Sequence, residues 1–417
     1  MGAHYGKGER LIARVLSAFP GIKAIAKRNY QHLNAMLYRK SYNFKSDLDV
    51  HVLPVEGETF YGYYDHSPES EDKRLILFHV SDSHKTKRLP DPRRPIDVGV
   101  YDTEEAKVIY KKATVAYNWQ QGARLHWIGP RRFVFNNYSE SKGYYSTLVN
   151  LEGSEVTETE IPLPIYDALS EVALTLNFAR LHQMRPDYGY RNHSLTDLPP
   201  YDEDGVFIID LITQKYKLLV SLSTLCQLEP NGLMAEAVHK VNHIMIAPDG
   251  KSFIFLHRYF VSGRRFDRLI VSDMQGSNLK VLADDEMVSH CCWLSSTEII
   301  AYLRDYKQGD RYYKLNALNG SKRVVGEGII DGFGDGHPTF KDSHLIIDTY
   351  PNKSRMKGLY QFDIMSNKLR QLGEFYESMN FYGETRCDLH PRLNYSGNRV
   401  YFDSVHSGQR KLYWMDL

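Results

Sequence analysis

Four histidines in the second half of this 417-residue chain, His243, His290, His337 and His390, recur at intervals of 47, 47 and 53 residues. Each heads the same pattern: a few mixed residues, a turn, and a run of alternating apolar character, as in the stretches HIMIAPDGKSFIFLH from His243 and HPRLNYSGNRVYFDS from His390. Residues at equivalent places in successive repeats face the same way, so the four imidazoles are expected to converge on one end of a common axis. Imidazole is the commonest protein ligand for Mn, Fe, Ni and Zn class metals, and ligands drawn from several rigid units can impose an open coordination shell. Asp388 stands two residues before His390, on the same face of an extended chain, and adds a carboxylate. The other reading of the pattern is structural, each histidine bonding a neighbouring backbone group and stapling one unit to the next.

Arginines supply the other half of the constellation. Arg124 falls at the register position of its own unit, and Arg180 lies in the segment LNFARLH that ends at His182. A guanidinium binds a carboxylate bidentately, so a metal beside arginines describes a pocket for an acidic sugar or another anion. Arg124, Tyr64, Gln121 and His182 are assigned to substrate contact, and Tyr63, Trp119 and Gln120 are placed at the same end. His51, His84, His193, His344 and His406 fall outside the register and are expected at the surface.

The elements that must position these residues are strands. Thirty Tyr, eighteen Phe and four Trp make 12% of the chain aromatic, a bias suited to pleated, half-buried surfaces. Each histidine segment is followed by two more strands with a tight turn, and units of about 40 to 50 residues built this way are the blades of a β-propeller. Three more divergent units precede them, beginning near Asp65, Arg124 and Asn177. The fold class is therefore all-β, a seven-bladed β-propeller over residues 46–417 with a short N-terminal helical extension, 1–45. The last unit runs out after three strands at Leu417, so its fourth is expected from near Asp49 to Pro54, which would close the ring.

Residues 1–45 carry Lys7, Arg10, Arg14, Lys23, Lys27, Arg28, Arg39, Lys40 and Lys45 against a single acidic Glu9. Apolar residues at helical spacing, interrupted at Phe19-Pro20-Gly21, predict two short amphipathic helices, packed on the propeller or in peripheral contact with an anionic membrane. The whole chain has a formal charge of +1, which argues against a nucleic-acid partner, and no run reaches the roughly 18 apolar residues of a spanning helix. Four cysteines without a CxxC pair indicate neither a disulfide framework nor a zinc knuckle, and the expected location is cytoplasmic.

The blade starts resemble those of the oligogalacturonate lyase family of seven-bladed propellers over roughly residues 50 to 417. His243 with Pro248-Asp249-Gly250 and His290 with Trp293 match the family's His-x-x-x-x-Pro-Asp-Gly and His-x-x-Trp, while in the terminal Gln-x-x-His-x-His-Pro motif Thr385 and Asp388 replace Gln and the first His before His390-Pro391. The resemblance implies metal-assisted β-elimination on a uronic-acid-containing oligosaccharide or bacterial-type surface glycan. In that reading His243 is the base, Arg180 assists catalysis, and His290, Asp388 and His390, joined by His337 from the register, hold a divalent metal. Manganese is expected first, with zinc, iron and calcium as alternatives, and no organic cofactor. The register offers no pair of channel carboxylates for glycoside hydrolysis beyond Asp65 and Asp388, and no G-x-S-x-G elbow. The alternatives are a non-catalytic propeller binding an anionic glycan or a protein partner in glycan assembly, or another metal-dependent carbohydrate enzyme.

Overall fold

Alternating apolar runs fold into strands that pair antiparallel in sets of four, giving seven sheets arranged as the blades of a propeller. The computed structural model describes residues 20–82, 84–153, 155–193 and 198–417, with side chains from residue 26 onward. The innermost strands of blades 1 to 7 are Glu58–Phe60, His126–Gly129, Asp167–Leu169, Val238–Ile246, Val288–Trp293, Pro338–Lys341 and Arg392–Leu393. Second strands such as Leu75–Ser81 are buried along their whole length, whereas outer strands such as Lys107–Thr114 are mostly exposed.

The core lies between blades. Ile254, Leu256 and Leu269 of blade 4 pack with Ile299, Ile300 and Leu303 of blade 5 and Leu345 and Ile347 of blade 6. Leu75 and Leu77 of blade 1 likewise join Phe133 and Phe135 of blade 2 and Tyr401 and Leu412 of blade 7. Because each blade's apolar face is buried only against its neighbours, the ring must close. It closes where the sequence pattern places it: His51–Val52 pairs with Lys411–Asp416, His51 opposite Trp414, and completes blade 7.

Blade 6 gains a fifth strand that the sequence pattern did not indicate. Phe44–Ser46 pairs with the outer strand Lys368–Tyr376, covering an edge that would otherwise expose unpaired backbone groups. This strand ties the N-terminal segment to the propeller. Helix α1 (Pro20–Leu37) begins at a proline, whose fixed φ and missing N–H suit a first turn. The expected helix before it, over Leu11–Phe19, lies outside the described residues. Asn34 and Ala35 of α1 are buried, and Arg28 lies over the Tyr382 ring at 4.6 Å. Beyond α1, Arg39 lies over Tyr376 at 3.8 Å and Lys40 pairs with Glu374 at 2.9 Å. No helix among the described residues is long and apolar enough to cross a membrane.

Two expectations need correction. The segment after Asn177 is not an inner strand. It forms helix α2 (Phe178–Met184), capped by the Asn177 side chain, inside an insertion between the second and third strands of blade 3, and the innermost strand there is the earlier Asp167–Leu169. Of the histidines expected at the surface, His84 and His406 are buried, since rings close over them: Tyr117 and Trp119 over His84, and Phe44, Phe375 and Tyr413 over His406.

Candidate functional site

The four histidines do meet. Ring centroids are 6.0 Å apart for His243 and His290, 4.0 Å for His290 and His337, and 4.2 Å for His337 and His390. All four are at least 95% buried. The strands bring them together through local irregularity. The pairing of the innermost strands with their neighbours shifts register between Asn242 and Met245 in blade 4 and between Val288 and Cys291 in blade 5, so His243 and His290 both sit at bulges that re-aim side chains. His243, His390 and Arg124 share a left-handed backbone, with φ of 52°, 45° and 53°, at equivalent positions of three blades. A bulky residue adopts that conformation only where its surroundings enforce it, and such strain gathers at functional sites.

Three of the imidazoles are held in one tautomer. His337 donates Nδ1–H to the Asp348 carboxylate (3.0 Å), His290 to the Asp335 carbonyl (2.8 Å) and His390 to the Gly62 carbonyl (2.6 Å). These partners only accept, so each Nδ1 carries a proton and Nε2 is the ring atom left for a ligand, and the buried Nε2 atoms of His337 and His390 have no hydrogen-bond partner. His337, Asp388 and His390 each offer one ligand atom, all within 4.8 Å of one another. An imidazole-rich set of this kind suits Mn, Fe or Zn and argues against calcium, which takes oxygen ligands. Asp348 also accepts the backbone N–H groups of His337 (2.7 Å) and His390 (3.1 Å), so one carboxylate pins both segments. Gly336 permits this approach, for a Cβ there would lie 1.9 Å from the Asp348 carbonyl oxygen.

Asp388 has partners of its own: Lys357 Nζ at 3.2 Å and Arg386 Nε at 2.7 Å. Burial pushes its carboxyl up, but the two cations outweigh burial and hold it well below the usual carboxylate range. Lys357 is in turn held by Glu377 at 2.8 Å. Burial, then the charge of Arg258, keeps the His243 imidazole well below its ordinary value, and burial followed by the other histidines does the same to His290 and His390. All three rings are therefore neutral at pH 7.

Tyr63 lies across His243, its hydroxyl 2.7 Å from Nδ1. The Tyr61-Gly62-Tyr63-Tyr64 segment is fixed from behind. Asp403 accepts the Tyr61 and Gly62 N–H groups at 3.0 Å, and Arg392 donates to the Tyr63 carbonyl at 2.7 Å. Tyr64 presents its ring to His337 at 5.3 Å, while its hydroxyl is engaged by the Cys291 backbone, donating to the carbonyl at 3.0 Å and accepting from the N–H at 3.1 Å. Gln121 donates to the Tyr166 hydroxyl (3.2 Å), which also accepts the His243 backbone N–H (3.2 Å), so Gln121 stands behind His243 rather than beside it.

The arginines are placed differently from the histidines. Arg124 lies at the register position, but its Nη2 pairs with Asp65 (2.7 Å) and its Nε donates to the Tyr166 carbonyl (2.8 Å). Arg180 pairs with Asp204 (2.5 Å) and lies over Tyr201 (5.2 Å), and none of its contacts joins it to the four histidines. His182, half-buried in the last turn of α2, backs onto Gly189 and also has no contact with them. The blade 3 insertion reaches the site a few residues later. Tyr188 packs edge-on to Tyr63 (5.8 Å) and His243 (5.7 Å), with Arg185 over its ring at 4.9 Å, and Asp187 pairs with Arg386 at 2.8 Å. Sequence reasoning missed Tyr188, Asp187, Arg386, Lys357 and Asp348. The one local signal was the Gly334-Asp335-Gly336-His337 run, whose glycines announce close backbone approach.

A cavity of about 720 Å³ reaches the ligand group at Asp388 and is lined beside it by Asp335, Tyr350 and Arg386, while none of the four histidines lines it. Two other groups of metal-ligating side chains are partly engaged, although His126 Nε2 and His257 Nδ1 have no hydrogen-bond partner. His239 bonds both His257 (2.9 Å) and the Met234 carbonyl (2.8 Å) near Cys226. His66 pairs with Asp167 (2.9 Å) and stacks on His126 with 14° between the planes, so the in-plane lone pairs of the two rings do not converge.

No protein-family model matches the sequence, and no curated protein matches it significantly. Among solved structures the chain is similar to an oligogalacturonate lyase from Vibrio parahaemolyticus, at 14% identity over 90% of this chain and 97% of that one, with a TM-score of 0.57. It is also similar to an oligogalacturonate lyase in complex with manganese (11% identity, 91% and 95% covered, TM-score 0.41) and to the β-propeller domain of the Trilobed protease from Pyrococcus furiosus (10%, 86% and 94%, TM-score 0.48). The first likeness shows the seven-bladed fold. A fold shared at this identity does not fix activity, which has to be argued from the site.

Proposed function

We propose that this propeller is a metal-assisted lyase that acts by β-elimination on a uronic-acid-containing oligosaccharide or bacterial-type surface polysaccharide. One juxtaposition carries the reading: a neutral, buried His243 in contact with Tyr63, beside the His337, Asp388 and His390 ligand group, of which Asp388 lines a cavity large enough for saccharide. His290 and these three residues would hold the metal, manganese first and zinc or iron otherwise. When bound, such a cation supplies positive charge that makes the proton α to a uronate carboxylate more acidic.

The chain's own residues then account for the proton movements. His243 removes the C5 proton of the uronate. The electron pair forms the C4–C5 double bond as the C4–O bond breaks, and the leaving oxygen takes a proton, for which the Tyr63 hydroxyl is the nearest donor to the base. Burial keeps the ring neutral at pH 7, the form that accepts a proton, and at the same time makes it a weaker base by disfavouring the imidazolium. A second reading, a non-catalytic propeller that binds an anionic glycan or a protein partner in glycan assembly, draws support from Asp388, whose two oxygens already face Lys357 and Arg386.

The test is incubation of metal-replete protein with a panel of uronate glycans, followed at about 235 nm, where the conjugated product absorbs. The expected result is a rise that chelation abolishes and that His243→Ala removes while saccharide binding persists. Binding without any rise in absorbance across the panel would establish the second reading instead.

A further inference from the structure

One wall of the cavity is not propeller. Lys27, Arg28, Gln31 and Asn34 of α1 line it together with Arg386 and Asp388. The volume, about 720 Å³, lies within the range of ligand pockets, roughly 300 to 1,000 Å³. Two of the propeller cations at this cavity are already neutralised, Arg386 by Asp187 and Asp388 and Arg355 by Glu377. Among the described residues Lys27 and Arg28 have no carboxylate partner. They face into the cavity with their charge unspent, and Arg28, stacked on Tyr382 at 4.6 Å, keeps the edge of its guanidinium open to an oxyanion. The helix is also fixed in place, through buried Asn34 and Ala35 and, directly after it, through Lys40 on Glu374 and the Phe44–Ser46 strand on blade 6.

We infer that α1 forms a second anion subsite, in which Lys27 and Arg28 bind an acidic group of an oligosaccharide whose reacting residue lies at the histidine cluster. The substrate class rests on the lyase reading of that cluster; the subsite rests on the cavity and on the two uncompensated cations. A saccharide that spans both must carry an acidic group beyond the reacting one, so α1 selects an acidic oligosaccharide over a single uronate. Gln31, on the same wall, offers an amide to hydroxyl groups between them.

Calorimetry with full-length, metal-replete protein at low salt tests this, using trigalacturonate, triguluronate and monomeric galacturonate as ligands. A Lys27→Ala/Arg28→Ala variant is expected to bind at least one trisaccharide about tenfold more weakly, as two exposed ion pairs lost together imply, with little change for the monomer. Wild-type affinity for that trisaccharide falls with salt more steeply than the variant's. A Lys27→Arg/Arg28→Lys variant restores most of the loss, and metal content and melting temperature stay at the wild-type values throughout. Equal trisaccharide affinity in wild type and the alanine variant, or no trisaccharide binding by the wild type, overturns the inference. The two proposals fail separately. Weakened binding without any elimination product keeps the subsite and rejects the lyase, while turnover insensitive to the alanine variant does the reverse.

Discussion

Asp348 touches neither the cavity nor the proposed metal, yet it holds two of the segments proposed to bind that metal, and Asp348→Asn therefore tests how the site is built. The carboxylate accepts His337 Nδ1–H at 3.0 Å and the backbone N–H groups of His337 and His390 at 2.7 and 3.1 Å. An amide keeps one acceptor oxygen and turns an NH₂ toward the remaining donors, so at least one buried donor loses its partner, a cost of about 1 to 3 kcal/mol in stability. The larger consequence is at the metal. Without a carboxylate on Nδ1, the His337 ring is a weaker base and free to turn, and loss of such a partner lowers metal affinity about 10- to 100-fold, or about 1.4 to 2.7 kcal/mol. Titration calorimetry with Mn²⁺ and Zn²⁺, alongside denaturant unfolding of the metal-free protein, separates the two effects. Metal affinity within a factor of two of wild type, together with the expected loss of stability, would refute the reasoning, because it would mean that His337 is not a ligand.

Two further outcomes are expected. Arg180→Ala should lower stability by about 3 to 5 kcal/mol by stranding the buried Asp204 charge, while kcat and KM of the folded fraction stay at wild-type values; a selective loss of kcat would return Arg180 to catalysis. The second concerns pH. Burial holds His79 at a pKa of about 3 and His406 at about 4, both below the ordinary 6.5. Their contribution is thus complete above pH 6.5, and below it the unfolded chain takes up protons that the fold does not. Stability falls as the pH drops from 6.5 toward 4, by about 3 kcal/mol for His406, and levels off once the folded ring protonates. Urea unfolding between pH 7 and 4.5 should show His406→Asn with a slope shallower by one proton, and an unchanged slope would mean that the ring is not buried in the neutral form.

Much of the architecture was legible because a propeller is a repeat. Each blade buries its faces only against its neighbours, so the same alternation has to recur at about the same interval, and it does so from His243 to His390. The incomplete last unit likewise demanded a strand from the other end of the chain, and His51–Val52 supplies it. The convergence of the four histidines follows from the same periodicity, since equivalent positions of successive blades point to one axis. The third blade escaped this logic because α2 and the segment after it interrupt the repeat, and the most periodic-looking residues there, Asn177 to His182, belong to the insertion. The fifth strand of blade 6 escaped it too, since Phe44–Ser46 is short and pairs with residues more than 300 positions away.

What the sequence determined by itself is which residues repeat, and therefore the fold, the closure of the ring and the meeting of four imidazoles. It could not decide which charges remain free at the site. Arg124 and Arg180 read as anion ligands along the chain, but in the fold Asp65 and Asp204 lie against them, and a guanidinium paired and buried in this way has little left to offer a substrate. Conversely, Asp348 and Arg386 carry no periodic signal and join the site only through tertiary contacts, while Lys27 and Arg28, read as part of a basic extension, line its cavity. The physical reason is one of range. Periodicity records the local pattern of burial, whereas the state of a charge depends on the few ångströms around it, and those are set by segments far apart in the chain.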